Sequence, residues 1–249
     1  CKMKNEKCKM KNGHPRGSIF HFSIFIFQFS LLLLIACGSV SCAKQADPDH
    51  DRVHVFISSN PKSLDPAFAT DFASALVVSK IYNGLVAFEG AGVVPDLADR
   101  WSISPDGRRY EFHLRAGVRF HDGRALTAFD VARCFNRIMD TATASPRRWV
   151  FEAVEKVAAA DSFLLVIRLK APSAPFLKLL AMPAAMVNAL PAGTAPAELS
   201  RHPVGTGPYR LERWEDDAEI LLQRNDDYFA GAPAVPGIVF NVIPESLTA

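Results

Sequence analysis

The chain has 249 residues, 49% of them hydrophobic, and a formal net charge of +2. That apolar content excludes a disordered chain and suffices for the core of one large domain or two small ones. The positive sign comes from the first 36 residues: without them basic residues fall from 28 to 22 and acidic ones from 26 to 25, the net becomes −3, and nucleic acid is excluded as a partner.

The chain order begins with Lys2, Lys4, Lys7, Lys9, Lys11 and Arg16, followed by an apolar run from Ile19 to Ala36. This is the layout of a secretory signal peptide over 1–36, although the run is also just long enough to span a bilayer as an uncleaved anchor. It ends at Leu34-Ile35-Ala36-Cys37-Gly38, which resembles the bacterial lipoprotein processing box, so Cys37 is the expected lipidation site and membrane anchor. Cys42 fits less well because Ser39 takes the apolar position. The repeat CKMKN at 1–5 and 8–12 offers cysteines without a histidine or carboxylate cluster at ligand spacing, and a start at Met3 or Met10 explains it better than a metal site. Residues 37–52 are small, polar and without period, as in a flexible tether. Asp47, Asp49, His50, Asp51 and His54 could in principle hold a metal, but they fall on that tether and read as a solvated run; no metal and no cofactor is expected.

Val53, Val55 and Ile57 alternate with His54, Phe56 and Ser58 as a first strand. A polar loop, 59–71, leads into a helix from about Phe72 to Tyr82, which Asn83-Gly84 stops. Tyr110, Phe112 and Leu114 alternate with Glu111, His113 and Arg115 behind the turn residues Pro105, Asp106 and Gly107. A second turn stands at Asp122-Gly123, and His121 before it reads as a hydrogen-bonding structural residue. Thr127 and Asp130 have capping-box spacing ahead of the apolar stripe Val131, Cys134, Phe135, Ile138 and Met139, which makes Cys134 a buried thiol. Phe163–Leu169 reads as a buried strand, Phe176–Met182 as a short helix, and 182–196 as an irregular loop. Tyr209–Trp214, Glu219–Gln223 and Ile238–Ile243 give three more strands, so the class is mixed α/β.

Nothing here performs covalent chemistry by a known pattern. There is no Gly-x-Ser-x-Gly elbow, His-Glu-x-x-His helix or Cys-x-x-Cys pair. Gly205-Thr206-Gly207 lacks the further residues of a phosphate loop, and Pro208 lacks an amide, so it reads as a tight turn entering a strand. A non-enzyme is expected.

Three blocks carry a family resemblance. Residues 94–139 resemble the signature region of the family 5 extracellular solute-binding proteins, the dipeptide and oligopeptide receptors of ABC importers. Residues 204–229 resemble that family's Gly-Thr-Gly-Pro-Tyr strand start and Arg-Asn-x-x-Tyr turn, and Asn60, Ser63, Leu64, Asp65 and Pro66 resemble its opening loop. The resemblance runs from about Val53 to Pro244. It implies a type II periplasmic-binding clamshell, of which this chain is the first lobe only: 53–93 and 201–249 as a mixed main sheet with flanking helices, 94–200 as a small inserted subdomain, and the second lobe absent because family members are about twice as long. With the processing box at Cys37, it further implies a lipid-anchored receptor outside the cytoplasmic membrane, taking up peptides and passing them to permease subunits. Ligand contacts are expected at Thr70, Asp71 and Phe72, then Asn60 and Ser63; Asp71 reads equally well as a helix cap, and the acidic partner of a peptide's amino group belongs to the second lobe. A peptide-sensing or adhesion lipoprotein, or a truncated product without function, are the alternatives. The first lobe's motifs do not separate dipeptide, oligopeptide, nickel-complex and sugar receptors.

Overall fold

The computed structural model describes residues 51–191 and 193–243; the expected signal peptide, Cys37, Cys42 and Asp47–His50 lie outside them. The first strand, β1 (Val53–Ile57), is followed by the helix α1 (Phe72–Ile81). Two short strands, β2 (Val86–Glu89) and β3 (Gly92–Pro95), pair with each other as a hairpin. Next come β4 (Ala98–Ile103), β5 (Arg109–Leu114), α2 (Ala128–Met139), β6 (Val154–Ala159) and β7 (Leu164–Leu169), then the short helices α3 (Phe176–Leu180) and α4 (Pro196–Arg201). The strands β8 (Tyr209–Glu215), β9 (Glu219–Arg224) and β10 (Gly237–Val242) close the described chain.

The strands form two four-stranded sheets besides the hairpin. One runs β1-β10-β9-β8, with β1 parallel to β10 and the other pairs antiparallel. The other, β4-β5-β7-β6, is antiparallel throughout. Each sheet has its own core. In the first, Val77, Val78, Ile81 and Tyr82 of α1 and its C-cap lie over Ile57, Ile220, Leu222, Ile238, Phe240 and Val242. In the second, Val131, Cys134, Phe135 and Ile138 of α2 pack with Phe112, Leu114, Leu165, Ile167 and Leu169.

Local chemistry explains the elements between 98 and 139. Alternation along β5 buries Tyr110, Phe112 and Leu114 and leaves Arg109, Glu111 and His113 on the outer face. Gly107, at φ +67°, makes the preceding turn. The reciprocal Thr127–Asp130 capping box forms as the spacing predicts, and its α2 stripe is buried except for half-buried Met139. Cys134 is a buried free thiol whose Sγ donates to the Asn188 carbonyl at 2.9 Å. Burial pushes it up to about 12, so it is not poised as a nucleophile.

Some elements depart from the sequence reading. β2, β3, β4, β6 and α4 were not predicted. The irregular stretch after Met182 proves largely buried, with Ala184, Ala185, Val187, Ala189 and Leu190 in the core. It opens with a 3-10 turn, Pro183–Ala185, after which Val187 donates to the Asn83 carbonyl and Ala189 to that of Val204, both at 2.9 Å. Among the described residues no helix is long and apolar enough to cross a membrane.

Candidate functional site

The loop after β1 leads to the N-terminus of α1, and its polar residues divide into those used up by the fold and those left on the surface. Asp71 is the N-cap of α1. Its carboxylate accepts from the Ser74 amide at 2.8 Å, the Ser74 hydroxyl at 2.6 Å and the Lys62 amide at 3.3 Å. Burial pushes this carboxyl up, but those hydrogen bonds outweigh it and hold it below the usual carboxylate range. Ser63 is buried: its hydroxyl accepts from the Asp65 amide at 3.1 Å and from the Ser200 hydroxyl at 2.9 Å. Asn60 is pinned across the sheet end, donating to Asp217 Oδ1 at 2.6 Å and accepting from the Asp217 amide at 3.0 Å. Thr70 is exposed, and Phe72 is 80% exposed.

The loop is held rigidly from behind. Asp65, fully buried, receives a bidentate pair from Arg137 of α2, at 3.1 Å to Oδ1 and 2.6 Å to Oδ2. The same guanidinium stands 5.8 Å from the Phe68 ring centre. Ser145 donates to the Ala67 carbonyl at 2.6 Å, and Arg147 Nε to that of Ala69 at 2.9 Å. The loop that leads to Thr70 and Phe72 is therefore tied to the rest of the fold.

A polar cluster missed by sequence reasoning lies at the other end of α1. Asn83 donates to Asp96 Oδ1 at 2.8 Å and to the Tyr228 hydroxyl at 3.0 Å, and accepts from the Thr206 hydroxyl at 3.1 Å. Asp96 also accepts from the Gly84 amide at 3.1 Å. His121 is gripped on both ring nitrogens: Nδ1 accepts from the Gly205 amide at 3.3 Å, so Nε2 bears the proton that is donated to the Gly207 carbonyl at 3.0 Å. In the sequence Asn83-Gly84 reads as a helix stop, His121 as a structural residue and Gly205-Thr206-Gly207 as a tight turn, with nothing to join them. Residues from five separate segments meet here, which no local pattern could announce.

Burial raises Asp96 to about 6 against the opposing hydrogen bonds of Gly84 and Asn83, and burial lowers His121. The signs are opposite in stability. Asp96 contributes stability that is full below its unfolded value of 3.8 and lost as pH rises through about 6, whereas His121 costs stability as pH falls below 6.5. Just below pH 6 the two slopes have opposite signs. His121→Gln is therefore expected to make the stability–pH slope more negative in that window, by at most about 1.4 kcal/mol per pH unit for one proton. Urea titrations at several pH values check this; parallel curves for the two proteins would show that the ring titrates alike folded and unfolded.

Among the described residues no group of three or more histidines, cysteines or acidic side chains is arranged to hold a metal ion. His54, on the tether side of β1, lies 3.1 Å from the Asn241 side chain. Gly205-Thr206-Gly207 packs against α1: Gly207 donates to the Ile81 carbonyl at 2.9 Å, leaving no free amide cradle there.

Comparison with known proteins agrees with this geometry. The family model for bacterial extracellular solute-binding proteins, family 5, middle region, matches residues 92–249. Di/tripeptide-binding protein 2 of Pseudomonas aeruginosa is 34% identical over 244 residues, covering 86% of this chain and 44% of that protein. Among solved structures, the ABC transporter-associated periplasmic binding protein DppA from Helicobacter pylori, in complex with the peptide STSA, is 31% identical with a TM-score of 0.68, over 79% of this chain and 44% of that one. NikZ from Campylobacter jejuni, in complex with Ni(L-His), is 25% identical with a TM-score of 0.69, over 78% of this chain and 39% of that one. The chain thus spans less than half the length of each of these proteins.

Proposed function

The chain belongs to the bacterial extracellular solute-binding proteins of family 5, and from that membership we propose that it is part of the substrate-binding component of an ABC importer, capturing di- and oligopeptides outside the cytoplasmic membrane for delivery to permease subunits. The observation that carries this reading is the similarity to a di/tripeptide-binding protein across most of the chain. The protein acts by recognition and makes or breaks no covalent bond, in keeping with a solute-binding family. Thr70 and Phe72 offer the contact surface, backed by the Asp71 cap, with Asn60 and Ser63 fixing the loop that carries them. A ligand held between this lobe and a second one would be buried on both faces, and its main chain would pair with backbone groups while looser pockets take varied side chains.

Calorimetric titration with mixed di- and tripeptides tests the reading. A protein extended to the length of the relatives should bind roughly 100-fold more tightly than the 249-residue chain, about 2.7 kcal/mol for the second wall of the cleft. Equal affinity would place a complete site in this lobe, and no saturable heat from the extended protein would remove peptides as the ligand class. The membrane tether is proposed at Cys37, supported by its sequence setting. Labelling cells with a radioactive fatty acid should give incorporation that Cys37→Ser abolishes; unchanged incorporation would move the anchor elsewhere.

A further inference from the structure

The outer face of the β4-β5-β7-β6 sheet breaks a habit of this protein. Elsewhere its exposed arginines are mostly answered by carboxylates, as Arg124 is by Asp122, Arg133 by Asp130 and Arg201 by Asp216. On this face the register sets Arg109 opposite Arg168 and Arg168 opposite Lys156, so three cations stand side by side across three neighbouring strands. Like charges directly opposite one another oppose sheet formation. Arg109 is answered by Glu111, with Nε 2.8 Å from Oε1. Arg168 and Lys156 have no carboxylate within ion-pair distance among the described residues, because Glu155, the nearest acidic neighbour in sequence, turns to Arg108 at 4.0 Å.

The next row along the sheet makes room beside them. Ala158 and Glu111 stand on either side of Val166, and Ala158, Ala159, Ala160 and Val166 line a hollow of about 430 Å³ together with Arg109, Lys156, Arg168 and Glu155. Glu155 pairs with Arg108 and Glu111 with Arg109, so the niche keeps a net positive charge from Lys156 and Arg168. Two of the cations are uncompensated, which matches a dianion, and their positions on adjacent strands bring both heads to one compact group rather than to two separated carboxylates. A guanidinium fork beside an ammonium suits the oxygens of a phosphate.

We propose that this face holds a site for a phosphate-bearing dianion, seated over Ala158 and Val166 and held by Arg168 and Lys156 with Arg109 alongside. The site lies on a different sheet from the one that α1, with Phe72 at its start, covers, and does not depend on the peptide-binding reading. It tolerates its own repulsion because the anion relieves it. The phosphate could belong to a soluble ester or to a lipid headgroup, and the test separates the two. Glycerol phosphate is titrated calorimetrically into the 249-residue chain at constant ionic strength, and in a second arm the chain is floated with phosphatidylglycerol or phosphatidylcholine vesicles. Both arms are repeated with the K156Q/R168Q variant, which retains the N-terminal segment and so the same background affinity for vesicles. Glycerol phosphate binding that the variant weakens at least tenfold supports the site with a soluble ester as its ligand. A variant-sensitive preference for phosphatidylglycerol, without binding of the free ester, supports it with a headgroup instead. The variant should melt no lower than the parent, since it removes only repulsion. Binding indifferent to the substitutions in both arms, or absent from both, overturns the proposal.

Discussion

Gly205→Ala is expected to cost more than about 4 kcal/mol and to prevent folding at ordinary growth temperature. A Cβ built at this position would lie 2.0 Å from the Ile81 carbonyl oxygen and 2.6 Å from Tyr82 Cδ1. Neither neighbour can retreat: Tyr82 and Ile81 are fully buried, the Tyr82 hydroxyl donates to the Leu64 carbonyl at 3.0 Å, and the Ile81 carbonyl accepts the Gly207 amide. The end of α1 would have to part from the turn, taking the His121 and Asn83 hydrogen bonds with it. Thermal melts of soluble protein, or the yield of soluble protein if none folds, decide the matter. A loss below about 1 kcal/mol would mean that the turn and the helix do not approach so closely in solution.

Asp65→Ala is expected to cost about 3 to 5 kcal/mol, because it leaves the Arg137 guanidinium largely buried with no counter-charge. The carboxylate also accepts the Ala67 amide at 3.1 Å, so the turn that carries Ala67 and Ala69 toward Thr70 would loosen as well. The double variant D65A/R137M separates the two effects. It should regain part of the lost stability by removing the orphaned charge, while any loss of loop order remains. Urea denaturation of the single and double variants provides the measurement; a double variant no more stable than D65A alone would show that the arginine finds water or another partner without cost.

Legibility from sequence followed how local the cause was. The capping box at Thr127, the stripe through Phe135 and the alternation of β5 could be read because each is set by residues within one or two turns of one another. β4 and β6 were hidden: each carries a register shift, between Ala98 and Arg100 and between Val154 and Lys156, and a shifted strand loses its strict alternation. β2 and β3 are four residues each, too short to show a period. At the candidate site, the capping role of Asp71 was one of two readings available from its position before an apolar helix. That Ser63 is buried, or that Asn60 reaches Asp217, depends on contacts across more than a hundred residues of chain. The cation row on the second sheet is likewise invisible in one dimension, since only the pairing register brings Arg109, Arg168 and Lys156 together.

The parallel pairing of β1 with β10 joins the two ends of the described chain, and this orders events in time. During synthesis Val53–Ile57 emerges before Gly237–Val242 and has no partner on that side until the latter follows. Residues 98–169 contain all four strands of the other sheet together with the helix that covers it, so its pairings close shorter stretches of chain than β1 with β10 and cost less entropy. They can collapse while the first strand waits. The β4-β5-β7-β6 sheet should therefore gain protection from hydrogen exchange early in refolding, with the β1–β10 amides protected last, and β1 stays extensible for as long as β10 is unmade.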